Sequence, residues 1–152
     1  MNQIVDRPTR PRRASRESLG FLLAKASQRW NELLYARFVE RGYAEVRPAY
    51  GSILLPLFEE DGLRIGELGR RALLAKQTMT TMVRQLERNG LVSLEPDPDD
   101  GRAMRVHLTP RARGFRSVAE EALAELDDLV TGALGTRRSA QLATDLEEVT
   151  AL

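Results

Sequence analysis

Residues 76–92 read KQTMTTMVRQLERNGLV, and the spacing of their apolar side chains decides the fold. Met79, Met82, Val83 and Leu86 fall at i, i+3, i+4 and i+7, so they share one face of a helix. The opposite face is centred on Gln77, Thr81, Arg84 and Arg88, with Thr78 and Gln85 at its edge. It carries donors and acceptors, but no acid and nothing apolar. Asn89-Gly90 then stops the helix, because glycine takes the left-handed conformation that a helix terminus commonly needs.

Downstream, Leu91 to Glu95 reads as a strand and Pro96 to Gly101 as dense turn chemistry. Met104, Val106 and Leu108 alternate with Arg105 and His107, the period of a second strand with one apolar face. Upstream, Leu63-Arg64-Ile65 is extended, and Gly66 to Leu73 gives a short helix with Leu68 and Ala72 inward. A short helix, a second helix with a polar and basic outer face, and a β-hairpin together predict a winged helix-turn-helix. On that face arginine offers a fork to guanine, glutamine one to adenine, and threonine fits a thymine methyl or a phosphate. Double-stranded DNA is therefore the expected partner. The expected contacts are Gln77, Thr78, Thr81, Arg84, Gln85 and Arg88, with Lys76 on a phosphate at the helix start. At the wing, Arg102 suits a narrow minor groove, Asp100 is placed to orient it, and Arg105 lies on the outer strand face.

The outer segments are helical. Ser15 is the expected N-cap of a long helix whose apolar stripe is Leu19, Leu22, Leu23, Ala26, Trp30, Leu33, Leu34 and Phe38, ended by Gly42. Pro48 opens the next helix, with Tyr50, Ile53, Leu54, Leu57 and Phe58 before Asp61-Gly62, and Pro56 is expected to kink or shorten it. Thr109-Pro110 is a cap and first turn for a helix running to Gly135, and Thr136 is placed to cap a last helix. The first stripe needs a cover larger than one small winged unit, either the C-terminal helix or a second subunit.

Charge separates along the chain. The net is +3 over residues 1–20, −1 over 21–63, +4 over 64–113 and −5 over 114–152. Positive charge on the helix–hairpin unit and on residues 1–14, read as a flexible basic arm, is the footprint of a DNA-binding face. The patch Glu120, Glu121, Glu125, Asp127 and Asp128 reads as a solvated outer face. With no cysteine there are no disulfides and no thiolate metal sites. His107, the one histidine, makes neither a metal site nor a catalytic triad, so no metal, cofactor or enzymatic step is expected. No apolar run reaches a membrane span and no signal-peptide core is visible, so a cytoplasmic protein without a membrane partner is expected.

DPDDGRAMRVHLT, residues 97–109, resembles the wing signature of MarR-type regulators, D-x-R followed by an alternating strand that ends in L-T; Asp100 and Arg102 supply the first part, Leu108-Thr109 the second. Leu86-Glu87-Arg88-Asn89-Gly90-Leu91-Val92 resembles the family's L-E-x-x-G-L-V close of the recognition helix. The likeness covers about residues 48–115 by motif. It implies a mostly α fold with a small β-wing, a winged helix-turn-helix with N- and C-terminal dimerisation helices. The divisions would be the arm at 1–14, a dimerisation helix at 15–47, the DNA-binding region at 48–109 and dimerisation helices at 110–152. It also implies a homodimeric regulator, usually a repressor, on a pseudo-palindromic operator, and in many members release by a small aromatic or anionic ligand. Trp30, Tyr35 and Tyr50, with Arg29 and Arg47 nearby, are the candidate lining of that pocket. The chain departs from the pattern in three places: Arg84 stands where aspartate is frequent, Ala75 where a capping serine is usual, and Ala112 where glycine commonly follows L-T. Two other functions fit the same residues: an architectural DNA binder without effector, and a helical protein-interaction module.

Overall fold

Burial explains the orientation of the central helix. In the computed structural model, which describes residues 14–152, that helix is α4, Lys76–Arg88, with Met79, Val83 and Leu86 buried. Each contributes about 1.5–3 kcal/mol by leaving water, and turning α4 to bury Arg84 would expose all three. The remaining elements are α1 (Leu19–Glu40), a 3-10 turn (Pro48–Tyr50) leading into α2 (Gly51–Glu59), β1 (Leu63–Arg64) and α3 (Ile65–Ala72) before it. After it come β2 (Val92–Pro96), β3 (Met104–Leu108), α5 (Pro110–Leu134) and α6 (Thr136–Thr150). This is the winged helix-turn-helix with outer helices that the pattern predicts. Of the basic arm expected at 1–14, residues 1–13 lie outside the described part.

One core joins the elements. Ile53, Leu54 and Leu57 of α2, Leu68 of α3, the α4 residues, Val92, Val106 and Leu108 of the strands, and Ala112, Phe115, Ala119, Ala122 and Leu126 of α5 are buried together. From α1 Leu34 and Phe38 are buried in this core, with Trp30 and Leu33 packed against it, and Phe38 meets Phe115 edge to face with ring centres 4.8 Å apart. The acidic face of α5 is not simply solvated. Glu125 accepts from Arg37 Nε at 2.8 Å and from Arg41, and Glu120 from Arg116 at 2.9 Å, so two of these acids anchor side chains of α1 and α5.

Several local expectations change. The expected hairpin is a three-stranded antiparallel sheet in the order β1-β3-β2, with Leu63 opposite Val106 and Arg64 opposite Arg105. Ile65 begins α3 instead of extending β1. The first helix starts at Leu19 after Ser18; Ser15 instead accepts from the Glu17 amide at 3.3 Å in a preceding turn. Pro56 sits inside α2, which runs past it to Glu59, although α2 is only nine residues long. Thr136 is the first residue of α6 and not its cap, the capping position belonging to Gly135 at φ 84°. Leu73, expected to close the short helix, lies outside it at φ 54°, the one non-glycine residue with positive φ among the described residues, and its side chain is 75% exposed.

The other boundaries follow the chemistry read from the chain. Gly90, at φ 71°, ends α4 as Asn89-Gly90 predicts. Thr109 Oγ1 accepts from the Ala112 amide at 3.3 Å to cap α5, with Pro110 as its first residue. The same hydroxyl donates to the Gly90 carbonyl at 2.6 Å, tying the end of α4 to the start of α5.

Candidate nucleic-acid interface

The outward face of α4 carries Lys76, Gln77, Thr78, Thr81, Arg84 and Arg88, all exposed, with Gln85 half-buried at its edge. The Thr81 hydroxyl donates to the Gln77 carbonyl at 3.1 Å, which fixes its rotamer and leaves its lone pairs outward. Among the described residues neither Arg84 nor Arg88 forms an ion pair, so their guanidinium donors are held for something outside the chain. These residues stand on one rigid helix that its buried face cannot let rotate. The arrangement is a polar ridge presented to solvent.

Beside the ridge stands the wing. Arg102 is exposed at its tip, and the Asp100 carboxylate accepts from the Arg102 backbone amide at 3.1 Å, not from its guanidinium. Asp100 therefore shapes the turn and does not aim the side chain. Arg105 also differs from expectation. It is half-buried, donating from Nε to Asp97 at 3.0 Å and from Nη1 to the Gly62 carbonyl at 2.9 Å. Its guanidinium belongs to the base of the wing. His107 rests on Gly62, where a Cβ would come within 2.9 Å of the ring, and its Nε2 lies 3.5 Å from Glu95.

The residue missing from the sequence reading is Asp97. Its side chain has no solvent exposure, and it accepts from Arg64 Nε at 2.5 Å, from Arg105 Nε at 3.0 Å, and from the backbone amides of Asp99 and Asp100 at 2.8 and 3.3 Å. The Arg64 guanidinium first, and then the Asp99 amide, lower its carboxyl from 3.8 to about 2. Directly opposed arginines on neighbouring strands repel, so a carboxylate shared between Arg64 and Arg105 lets that register stand. In the sequence Asp97 is one acid among three in a proline-rich turn; only the pairing of β1 with β3 reveals its partners.

The five residues expected to line a ligand pocket do not stay together. Trp30 and Arg47 line a cavity of about 220 Å3 between α1, α2 and α5, with Leu34, Leu54, Phe58 and Phe115 among its other walls. Tyr35 lies outside it, donating to the Ala44 carbonyl at 2.7 Å, though its ring carries the Arg47 guanidinium at 4.9 Å. Tyr50 is buried with its hydroxyl on Asn89, and Arg29 pairs with Glu32 at 3.3 Å on the surface of α1.

Comparison with known proteins returns one family. A family model described as MarR family matches residues 48–104, the segment from α2 into β3. The HTH-type transcriptional repressor Mb2911 of Mycobacterium bovis is 30% identical over 93 residues, 61% of this chain and 67% of that protein. The first curated relatives are spanned less fully, this chain covering 33%, 65% and 44% of their lengths. Among solved structures, the transcriptional repressor CouR bound to a 23-mer DNA duplex is similar at a TM-score of 0.75 and 25% identity, over 88% of this chain and 93% of that one. PcaV of Streptomyces coelicolor, in complex with its natural ligand, shares the fold at a TM-score of 0.75 and 22% identity, over 91% and 96%.

Proposed function

The chain belongs to the MarR family, and from that premise we propose that it is a sequence-specific regulator of transcription, a ligand-responsive repressor that binds a pseudo-palindromic operator as a homodimer. The observation that carries this reading is the α4 ridge, a run of exposed donors ending in two arginines without an ion pair among the described residues, flanked by the exposed Arg102. In duplex DNA the ridge enters a major groove, where Arg84, Gln77 and Thr78 meet base edges, with Lys76, Thr81, Gln85 and Arg88 on bases or phosphates. Arg102 reaches the adjacent minor groove. That CouR is a repressor solved on DNA supports the same docking for this chain.

The dimer rests on uncovered apolar surface. No residue of α6 is buried, and Leu142, Leu146 and Val149 on it are exposed, as are Leu19, Phe21 and Leu22 on α1 and Leu129 on α5. Surfaces of that extent are rare on monomers, and a second copy covers them and sets two α4 helices one helical turn or a multiple apart. The Trp30–Arg47 cavity is the proposed effector site, in keeping with the ligand held by PcaV. Among the described residues no helix is long and apolar enough to cross a membrane.

The test is a salt titration with the duplex upstream of the protein's own gene and with random duplex. A large specificity ratio is expected, and Arg84→Ala or Gln77→Ala costs about 1–3 kcal/mol at one base position and relaxes the preference there. Equal reductions on both duplexes would remove the base-reading role.

A further inference from the structure

A protein that places a helix in one groove and a wing in the next must straddle the sugar-phosphate backbone between them. In this chain a cleft of about 660 Å3 opens between the wing and the α3–α4 unit, lined by Arg64, Glu67, Arg70, Lys76 and Arg102, with Met79 and Met104 beside them. Of its four cations Arg70 is already committed, donating from two nitrogens to Glu67 at 2.9 and 2.5 Å. Arg64 is different. Only its Nε is engaged, on Asp97, and its side chain is 47% exposed, so both terminal nitrogens remain for a ligand in the cleft.

We propose that Arg64 binds a DNA phosphate in this cleft, with Asp97 as the residue that positions it. The proposal rests on the DNA-binding reading above and assigns it an anchor point that lies outside both the ridge and the wing tip. The geometry carries it. The antiparallel register sets Arg64 against Arg105, and the buried Asp97 carboxylate takes Nε of both. One edge of the Arg64 guanidinium is thereby fixed to the protein and the opposite edge faces the cleft, the arrangement in which an arginine meets a phosphate with little rotamer entropy left to lose. Arg105 does not line the cleft, and its Nη1 is on the Gly62 carbonyl. Two arginines share the one buried carboxylate, beside Lys76 and Arg102, while Asp99 and Asp100 in the adjoining turn also act on Arg64.

The experiment is binding of the full chain to a random-sequence duplex across a salt series, since neutralised phosphates are read in the slope of log K against log salt. Arg64→Gln should make the slope shallower by about 0.9 for each phosphate no longer neutralised, roughly 1.8 for a dimer, with binding weakened roughly tenfold per protomer. Arg64→Lys, which keeps the charge, should restore the slope. Asp97→Asn separates positioning from simple charge. Removing an acid from a DNA-binding face should by itself steepen the slope, whereas removing the anchor of Arg64 should flatten it as Arg64→Gln does. The double variant should then weaken binding no further. Thermal melting of each variant identifies any that fails to fold, and should Arg64→Gln be one, Arg64→Met, which also removes the charge, takes its place with the same shallower slope expected. Wild-type protein with no salt-dependent binding would end the DNA-binding reading itself. Wild-type binding with an unchanged Arg64→Gln slope would end this inference alone, and a steeper Asp97→Asn slope would end the positioning role.

Discussion

The Asn89 side-chain amide donates to the Tyr50 hydroxyl at 3.0 Å, across 39 positions of sequence. Asn89 closes α4 and Tyr50 opens α2, so this hydrogen bond joins the end of α4 to the entry of α2. Tyr50 is buried, and its ring is part of the core.

Tyr50→Phe should therefore cost about 0.5–1.5 kcal/mol of stability, the usual worth of one hydrogen bond. Urea unfolding measures it. Because Tyr50 does not line the cavity, the variant should bind any effector as the wild type does. Unchanged stability together with abolished ligand binding would return Tyr50 to the pocket.

The acid side of the stability profile should carry the signature of Asp97. Its carboxyl is held at about 2 in the folded protein against 3.8 ordinarily, by Arg64 first and then the Asp99 amide. A lowered value means that the folded state favours the ionised form. The contribution is complete above about pH 4 and is lost as pH falls through 2. Asp97→Asn should accordingly be less stable than wild type at pH 6, and the gap should close between pH 4 and pH 2, where protonated aspartic acid and asparagine become alike. A gap constant across that range would show that the charge of Asp97 is not what matters. Glu45, Glu67 and Glu125 are also lowered, by Arg111, Arg70 and Arg37 respectively, so the wild type itself loses stability in the same direction.

What could be read from the chain alone was periodic or local. The α4 face, the Gly90 stop, the Thr109-Pro110 start of α5 and the alternation of β3 each depend on residues within one or two turns of one another. What escaped depends on pairings far apart in sequence. The segment at Leu63 reads as extended, but nothing near it announces that it will sit opposite Val106, so its pairing escaped, and with it the meeting of Arg64, Asp97 and Arg105. Leu73 escaped for another reason: leucine is a good helix former, yet here it closes the turn at φ 54°, a conformation that costs an L residue about 1–2 kcal/mol. The pocket residues were grouped by chemistry, and packing separated them. Trp30 and Arg47 reach the cavity because α1 and the α2 entry cross there, whereas Tyr35 and Arg29 leave α1 on other faces.

A cavity of about 220 Å3 is smaller than the ~300–1,000 Å3 of drug-sized sites, which limits the occupant to a single-ring molecule. The walls offer Trp30, Phe58 and Phe115 to stack on a ring, and Arg47 to pair with a carboxylate. The expected ligand is thus a small aromatic acid. It releases DNA only if it prefers a spacing of the two α4 helices that the operator does not accept, since equal affinity for both states shifts nothing. Trp30 is the one tryptophan, so its fluorescence reports directly on the cavity. Aromatic acids should quench it and weaken operator binding at the same concentrations. Arg47→Gln should reduce affinity for an acid but not for its neutral amide. Quenching with operator affinity unchanged would make the cavity incidental to regulation, and ligand-driven release that survives replacement of both Trp30 and Arg47 would move the effector site elsewhere on the protein.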